Sequence, residues 1–250
     1  MEAFAINRFG GLGSLEPTAT SVNGVSDIDQ GTIYRGIRVR ITALVRELPE
    51  QTLDCLAPAT PEWRVRDLVA HLAGSTADIV AGNLADVASD DWTGAHVEAR
   101  RNTLIGDVLD EWARCSAIVE PMIAKFDPLT RAMLLTDAVT HEHDLRGALG
   151  VQGERESVAI AYAFRGVTGG IGRQRGDTGA LRVLHEAGEI VVGTGEPTAT
   201  VQTTRFEVVR ASVGRRSYDQ IAAWNWEGDS RQETVVLARF APPRTTPLNE

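Results

Sequence analysis

A chain of 250 residues, 43% hydrophobic and 24% charged, can bury one large core or two small ones. Its net charge of −9, with basic residues only in short runs such as RGIRVR and GRRS, argues against non-specific binding to nucleic acid or an anionic membrane. No region gathers the cations that neutralising phosphates would need. Cys55 and Cys115 lie far apart and in no CxxC pattern, so both read as structural and a reducing cytoplasm is the expected location.

Residues 1–30 are rich in Gly, Ser, Thr and Asn and read as a loose extension, without the basic and apolar regions of a signal peptide. No run approaches the roughly 18 apolar residues of a membrane span. From Thr32 to Leu48, Ile33, Ile37, Ile41, Leu44, Val45 and Leu48 recur at helical spacing, and Pro49 ends the pattern. LAPATPEW reads as a loop. A second helix is expected over about 65–86, a third over about 95–125, and a fourth over about 129–149, stopped by Gly150. Together these predict a four-helix bundle over 31–150. A connecting helix and linker follow over 151–178. Short β-type runs at Leu181–His185, Ile190–Val192 and Ala199–Gln202, helices at RFEVVRASVG and SYDQIAAWN, and a last strand at TVVLARF then make a small domain over 179–243, with a tail at 244–250. The expected fold class is therefore a two-domain α+β protein, mainly helical in its N-terminal part.

Candidate chemistry concentrates in the fourth helix, TDAVTHEHDLRGALG. At about 100° per residue, Asp137 and His141 lie about 40° apart, beside the face made by Leu134, Ala138, Leu145, Ala148 and Leu149. His143 falls nearly opposite His141. Two donors at i and i+4 form a platform that a helix holds at low entropic cost, and His71, at the flank of the apolar stripe of the second helix, could supply a third. Such a set suits zinc, and also nickel, iron or manganese. The competing reading is plain: a D-x-x-x-H is more often an ion pair or a capping contact, and a single His71 is more often a hydrogen-bonded boundary histidine. Glu142 and Asp144 read as solvated, Arg146 as paired with an acid on its own helix, and His96 and His185 as surface or loop residues. No G-x-S-x-G, Walker, Rossmann or H-E-x-x-H pattern occurs.

Three stretches, EWRVRDLVAHLAG, DAVTHEHDLRGALG and FEVVRASVGRRSYDQIAAWNWEGD, resemble in this order the mycothiol-dependent maleylpyruvate isomerase-like family of actinobacteria. The resemblance runs from about Ile33 to Phe240. It implies a metal-binding four-helix bundle of the DinB type followed by a small sterol-carrier-like α+β domain. It also implies a divalent metal, zinc by preference, held by His71, Asp137 and His141, with mycothiol as thiol cosubstrate. The family's isomerase typically carries Glu where Asp137 stands, one methylene longer. Its activity converts a cis enedioate to the trans form by thiolate addition, bond rotation and elimination. On that logic Arg210, Arg215 and Arg216 are candidates to clamp substrate carboxylates, against the alternative that this turn places positive charge at a helix C-terminus near Gly214.

The function expected from these features is a metal- and mycothiol-dependent isomerase or thiol S-transferase acting on a small electrophile. The partners would be a small-molecule substrate and a low-molecular-weight thiol, with no nucleic acid and no membrane, in a monomer or homodimer. Two alternatives stay open: a metal-dependent hydrolase on the same bundle, and a protein that binds a small apolar ligand without turnover.

Overall fold

The computed structural model describes residues 28–175, 179–228, 237–238 and 240–250. Among them are nine α-helices and two small sheets, an α+β architecture with its strands concentrated toward the C-terminal end. The chain separates into two compact units. Of the described residues, one holds 28–56 together with Glu62–Asp127; the other holds Ala57–Pro61 and those from Pro128 to Glu250.

In the first unit, α1 (Gln30–Val45) starts where the Asp29 carboxylate accepts the Thr32 N–H at 2.9 Å, and it buries Ile33, Ile37, Ile41 and Val45 at helical spacing. Helix α2 (Glu50–Leu53) is a single turn after Pro49. The LAPATPEW segment, expected as loop, contains two short paired strands, β1 (Leu56–Ala57) and β2 (Thr60–Arg64), of which residues 57–61 are assigned to the second unit.

Helix α3 (Val65–Ala81) opens on Asp67, whose carboxylate accepts from the Arg64 backbone N–H at 2.8 Å and from the Arg64 guanidinium. It ends at Gly82, with φ of 73°, five residues short of the expected end. The long helix expected over 95–125 is instead three pieces. They are α4 (Asp90–Arg100), α5 (Ile105–Val119) and a 3-10 turn (Glu120–Lys125). Ser89 caps α4 by accepting from Trp92 N–H, and two acids sit in the first turn. At the far end Pro121 has no N–H to continue α5.

Helix α3 packs on α4 and α5, and α1 on α5 and the 3-10 turn. Their shared core is pinned by a polar knot: Tyr34 Oη and Thr76 Oγ1 lie 2.8 Å apart, and the Trp112 indole N–H reaches both, at 3.1 and 3.2 Å.

In the second unit, α6 (Pro128–Leu149) packs along α7 (Val158–Arg175), which in turn packs on α8 (Arg205–Ser212). Gly150, at φ of 65°, ends α6 in the left-handed turn expected of it, and Val151 N–H bonds Arg146 O at 2.9 Å. By compactness α6 groups with the C-terminal elements. Strands β3 (Ala180–His185), β4 (Gly188–Val192), β5 (Pro197–Gln202) and β6 (Asn225–Glu227) form one sheet in the order β4-β3-β5-β6. The β3–β4 and β5–β6 pairs are antiparallel and β3–β5 is parallel, with Val183 opposite Val201 in the core. Helix α9 (Tyr218–Ala222) starts with a capping box between Ser217 and Gln220. β6 takes up Asn225, which was expected to end a helix. The strand expected at TVVLARF lies mostly outside the described residues.

Candidate metal centre

Helix α6 carries Asp137 and His141 one turn apart, and the predicted platform forms. His141 Nε2 lies 3.4 Å from Asp137 Oδ1. Two ligands each about 2.1 Å from a tetrahedral ion are themselves about 3.4 Å apart, so the spacing fits two donors to one cation. The other ring nitrogen, His141 Nδ1, lies 3.0 Å from Asp144 Oδ2. Burial alone would lower the His141 imidazole, but Asp137 and Asp144 on its two sides outweigh burial and raise it to about 9.

Asp144, expected to face water, has no exposed surface. Its two oxygens take Arg210 Nη2 at 2.8 Å and Arg215 Nη2 at 2.9 Å. Burial would raise this carboxyl, yet the two guanidiniums and His141 hold it well below the usual carboxylate range. The result is a buried chain, His141–Asp144–Arg210/Arg215, that fixes the ring plane of His141. Arg210, itself fully buried, also grips the Glu250 carboxylate bidentately at 2.7 and 2.6 Å and donates to Thr140 O. Arg216 joins Glu250 and binds Glu207 with two parallel bonds. Arg215 N–H closes the end of α8 on Arg210 O at 2.8 Å. The carboxylates that these three arginines hold are thus the protein's own.

Glu142 is also buried rather than solvated, bound by Arg146 at 3.1 Å through the expected i,i+4 pair. His143 points away from His141, as its helical position requires. It does not reach water, however: its ring stands edge-on to Phe206 at 4.7 Å. Burial, helped by Arg210 and Arg146, pushes it down to about 3, so it is neutral.

His71 is buried on α3, with its ring 5.2 Å from that of Trp63 and 6.4 Å from that of Trp92. Its Nδ1 lies 3.3 Å from Nδ1 of His96, which was expected at the surface and is instead buried on α4. His96 Nε2 reaches Asp78 Oδ2 at 3.0 Å, and burial lowers the His96 imidazole. His185, the other histidine expected outside the core, is half-buried with its ring 5.0 Å from Phe164. Cys55 and Cys115 are free thiols, and burial pushes the Cys115 thiol up.

Of the three predicted ligands, His71 and His141 are buried and Asp137 is half-buried, with His71 in one compact unit and the α6 pair in the other. The residues that periodicity missed are those behind the donors. Asp144 stood in view at i+3 from His141, but three neighbouring charges made it look solvated. His96 gave no local signal beyond Gly74, a glycine in the interior of α3.

No family model matches the chain, and no curated protein matches it. Among solved structures it is similar to the mycothiol-dependent maleylpyruvate isomerase and to a histidine-to-alanine mutant of that enzyme. In each case the identity is 12%, the TM-score 0.53, and the match covers 77% of this chain and 92% of the other. No helix among the described residues is long and apolar enough to cross a membrane. At that identity the likeness is one of fold: over about three quarters of its length, the chain folds as the mycothiol-dependent maleylpyruvate isomerase does.

Proposed function

We propose that the protein is a metal-dependent enzyme that uses a low-molecular-weight thiol, mycothiol by resemblance, to act on a small electrophile as an isomerase or thiol S-transferase. The observation that carries this reading is the donor pair on α6, with Nε2 and Oδ1 at ligand spacing and the far side of the imidazole anchored to a buried carboxylate. A structural ion pair needs no such anchor, whereas a metal-binding imidazole nearly always has one. His71 is the third ligand in this reading, and zinc the first choice for two nitrogens and one oxygen, with nickel, iron and manganese behind it. When bound, the metal would lower the pKa of a coordinated thiol and so make a nucleophile at neutral pH.

The chain's own residues do the rest. Where a bound metal replaces the Nε2 proton, Asp144 and its arginines would keep Nδ1–H paired, so that Nε2 is the nitrogen offered to the cation. Asp137 contributes a charge that offsets part of the metal's. For a substrate resembling maleylpyruvate, the thiolate sulfur adds to one alkene carbon and the π electrons move onto the conjugated carbonyl. Rotation follows about the new single bond, then the carbon–sulfur bond breaks and the thiolate leaves. Arg210 and Arg215 remain the candidates for a substrate carboxylate. In that role Arg210 would exchange the Glu250 carboxylate for the substrate's.

The test is turnover of maleylpyruvate by the metal-loaded protein with and without mycothiol, before and after chelation. Conversion that needs both thiol and metal supports the isomerase. Thiol-independent, metal-dependent turnover of other substrates would favour the hydrolase reading instead. Thiol consumption without isomerisation would leave the S-transferase.

A further inference from the structure

Helix α3 carries more than His71 on the face that α4 covers. Gly74 and Asp78 lie three and seven residues on from His71, one stripe of the helix. The His96 ring of α4 lies across that stripe. A Cβ at Gly74 would stand 2.4 Å from His96 Cγ, so no other residue type admits the ring there. Glycine in a helix interior is destabilising relative to alanine, and at Gly74 that cost makes room for the imidazole. Trp92, one turn before His96, closes over the ring edge-on at 4.2 Å.

The hydrogen-bond polarity along the stripe follows from its ends. Asp78 Oδ2, 3.0 Å from His96 Nε2, can only accept, so that nitrogen carries the proton. A neutral His96 then has its lone pair on Nδ1, which lies 3.3 Å from His71 Nδ1. His71 must donate to it from Nδ1–H, and its own lone pair is placed on Nε2.

We propose that His96 is a positioning residue for the metal ligand His71: anchored by Asp78, it fixes the His71 ring in the tautomer that offers Nε2 to the cation. The proposal rests on the reading of His71 as a ligand. It gives His71 the same device that Asp144 gives His141, built here from an imidazole and a carboxylate in series. The acceptor touching the ligand is neutral, so His71 gains orientation without a second adjacent negative charge.

Two measurements on the full chain decide it. The first is the His71 tautomer in metal-free protein, read from the 15N shifts of the imidazole nitrogens at neutral pH. Wild type should show Nδ1 protonated and Nε2 bare. In His96→Phe, which keeps a ring beside Trp92 but removes the acceptor, the preference should disappear. In His96→Asn, whose carbonyl oxygen falls near the Nδ1 position, it should return. The second is zinc affinity by competition with a chelator. His96→Phe should bind about 10- to 100-fold more weakly, and His96→Asn should stay within a few-fold of wild type. A wild-type His71 protonated on Nε2, or a His96→Phe protein with unchanged tautomer and unchanged zinc affinity, overturns the proposal. Should the wild type bind no zinc, the ligand reading of His71 fails and the positioning of a ligand fails with it, while the tautomer result shows whether the hydrogen-bond polarity stands.

Discussion

Helices α5 and α6 are both long, and they bury themselves by opposite means. Helix α5 keeps one face in water and sends Val108, Leu109, Trp112 and Val119 into the core, so its sequence shows its structure directly. Helix α6 is buried on nearly every side from Leu135 to Arg146, although that stretch contains two acids, two histidines and an arginine among its buried residues. It can be buried because its charges are matched: Glu142 by Arg146, and Asp144 by Arg210, Arg215 and His141. Hydrophobic pattern marks a buried helix only where burial is apolar. Where ion pairs line the interior, a polar sequence is no evidence of exposure, and matched charges inside a fold are themselves a pointer to function.

The widest gap between the two helices should appear on removing Asp144. Asp144→Ala strands two buried guanidiniums and an imidazole, and should destabilise the protein by about 3–5 kcal/mol in urea unfolding. Leu109→Ala on α5 removes only apolar contact and should cost about 2–5 kcal/mol, depending on how far the cavity collapses. If Asp144→Ala proved as mild as a surface substitution, the charge network would not be what holds α6 inside.

Next in size is a pH effect that separates the two histidines of α6. The His141 imidazole is raised to about 9, so its contribution to metal-free stability is complete below the unfolded value near 6.5 and is lost as pH rises through about 9. His143 is lowered to about 3. Its contribution is complete above about 6.5 and is lost as pH falls toward 3. Unfolding of the chelated protein from pH 5 to 9.5 should therefore lose its upper-limb slope in His141→Gln and part of its lower-limb slope in His143→Gln. The same slopes in both variants would contradict the pairing described. The smallest effect belongs to exposed pairs such as Arg46–Asp110, 2.7 Å apart and outside both networks. Arg46→Ala should change stability by no more than about 1 kcal/mol by the same urea measurement.

Much of the fold could be read from residues. The apolar spacing of Ile33, Ile37 and Ile41 placed α1, Gly150 stopped α6, and the β-type runs at Leu181, Ile190 and Ala199 marked three strands of the sheet. The break between α4 and α5 was not legible, since the Arg101–Leu104 stretch lacks proline and glycine and periodicity runs on through it. At the site, the i,i+4 spacing of Asp137 and His141 was enough to find the donor pair. It could not find Asp144 as an anchor, because pairing with Arg210 and Arg215 spans more than sixty residues. Nor could it find His96, whose meaning depends on a glycine three residues past His71 and an aspartate seven past it.

Metal content is the direct test of the donor set. Purified protein reconstituted with zinc and passed over a desalting column should hold about one equivalent by elemental analysis. His141→Ala and Asp137→Ala should lose most of it, and His143→Ala should keep it. Zinc retained equally in all three variants, or absent from the wild type, would contradict a metal centre built on His71, Asp137 and His141.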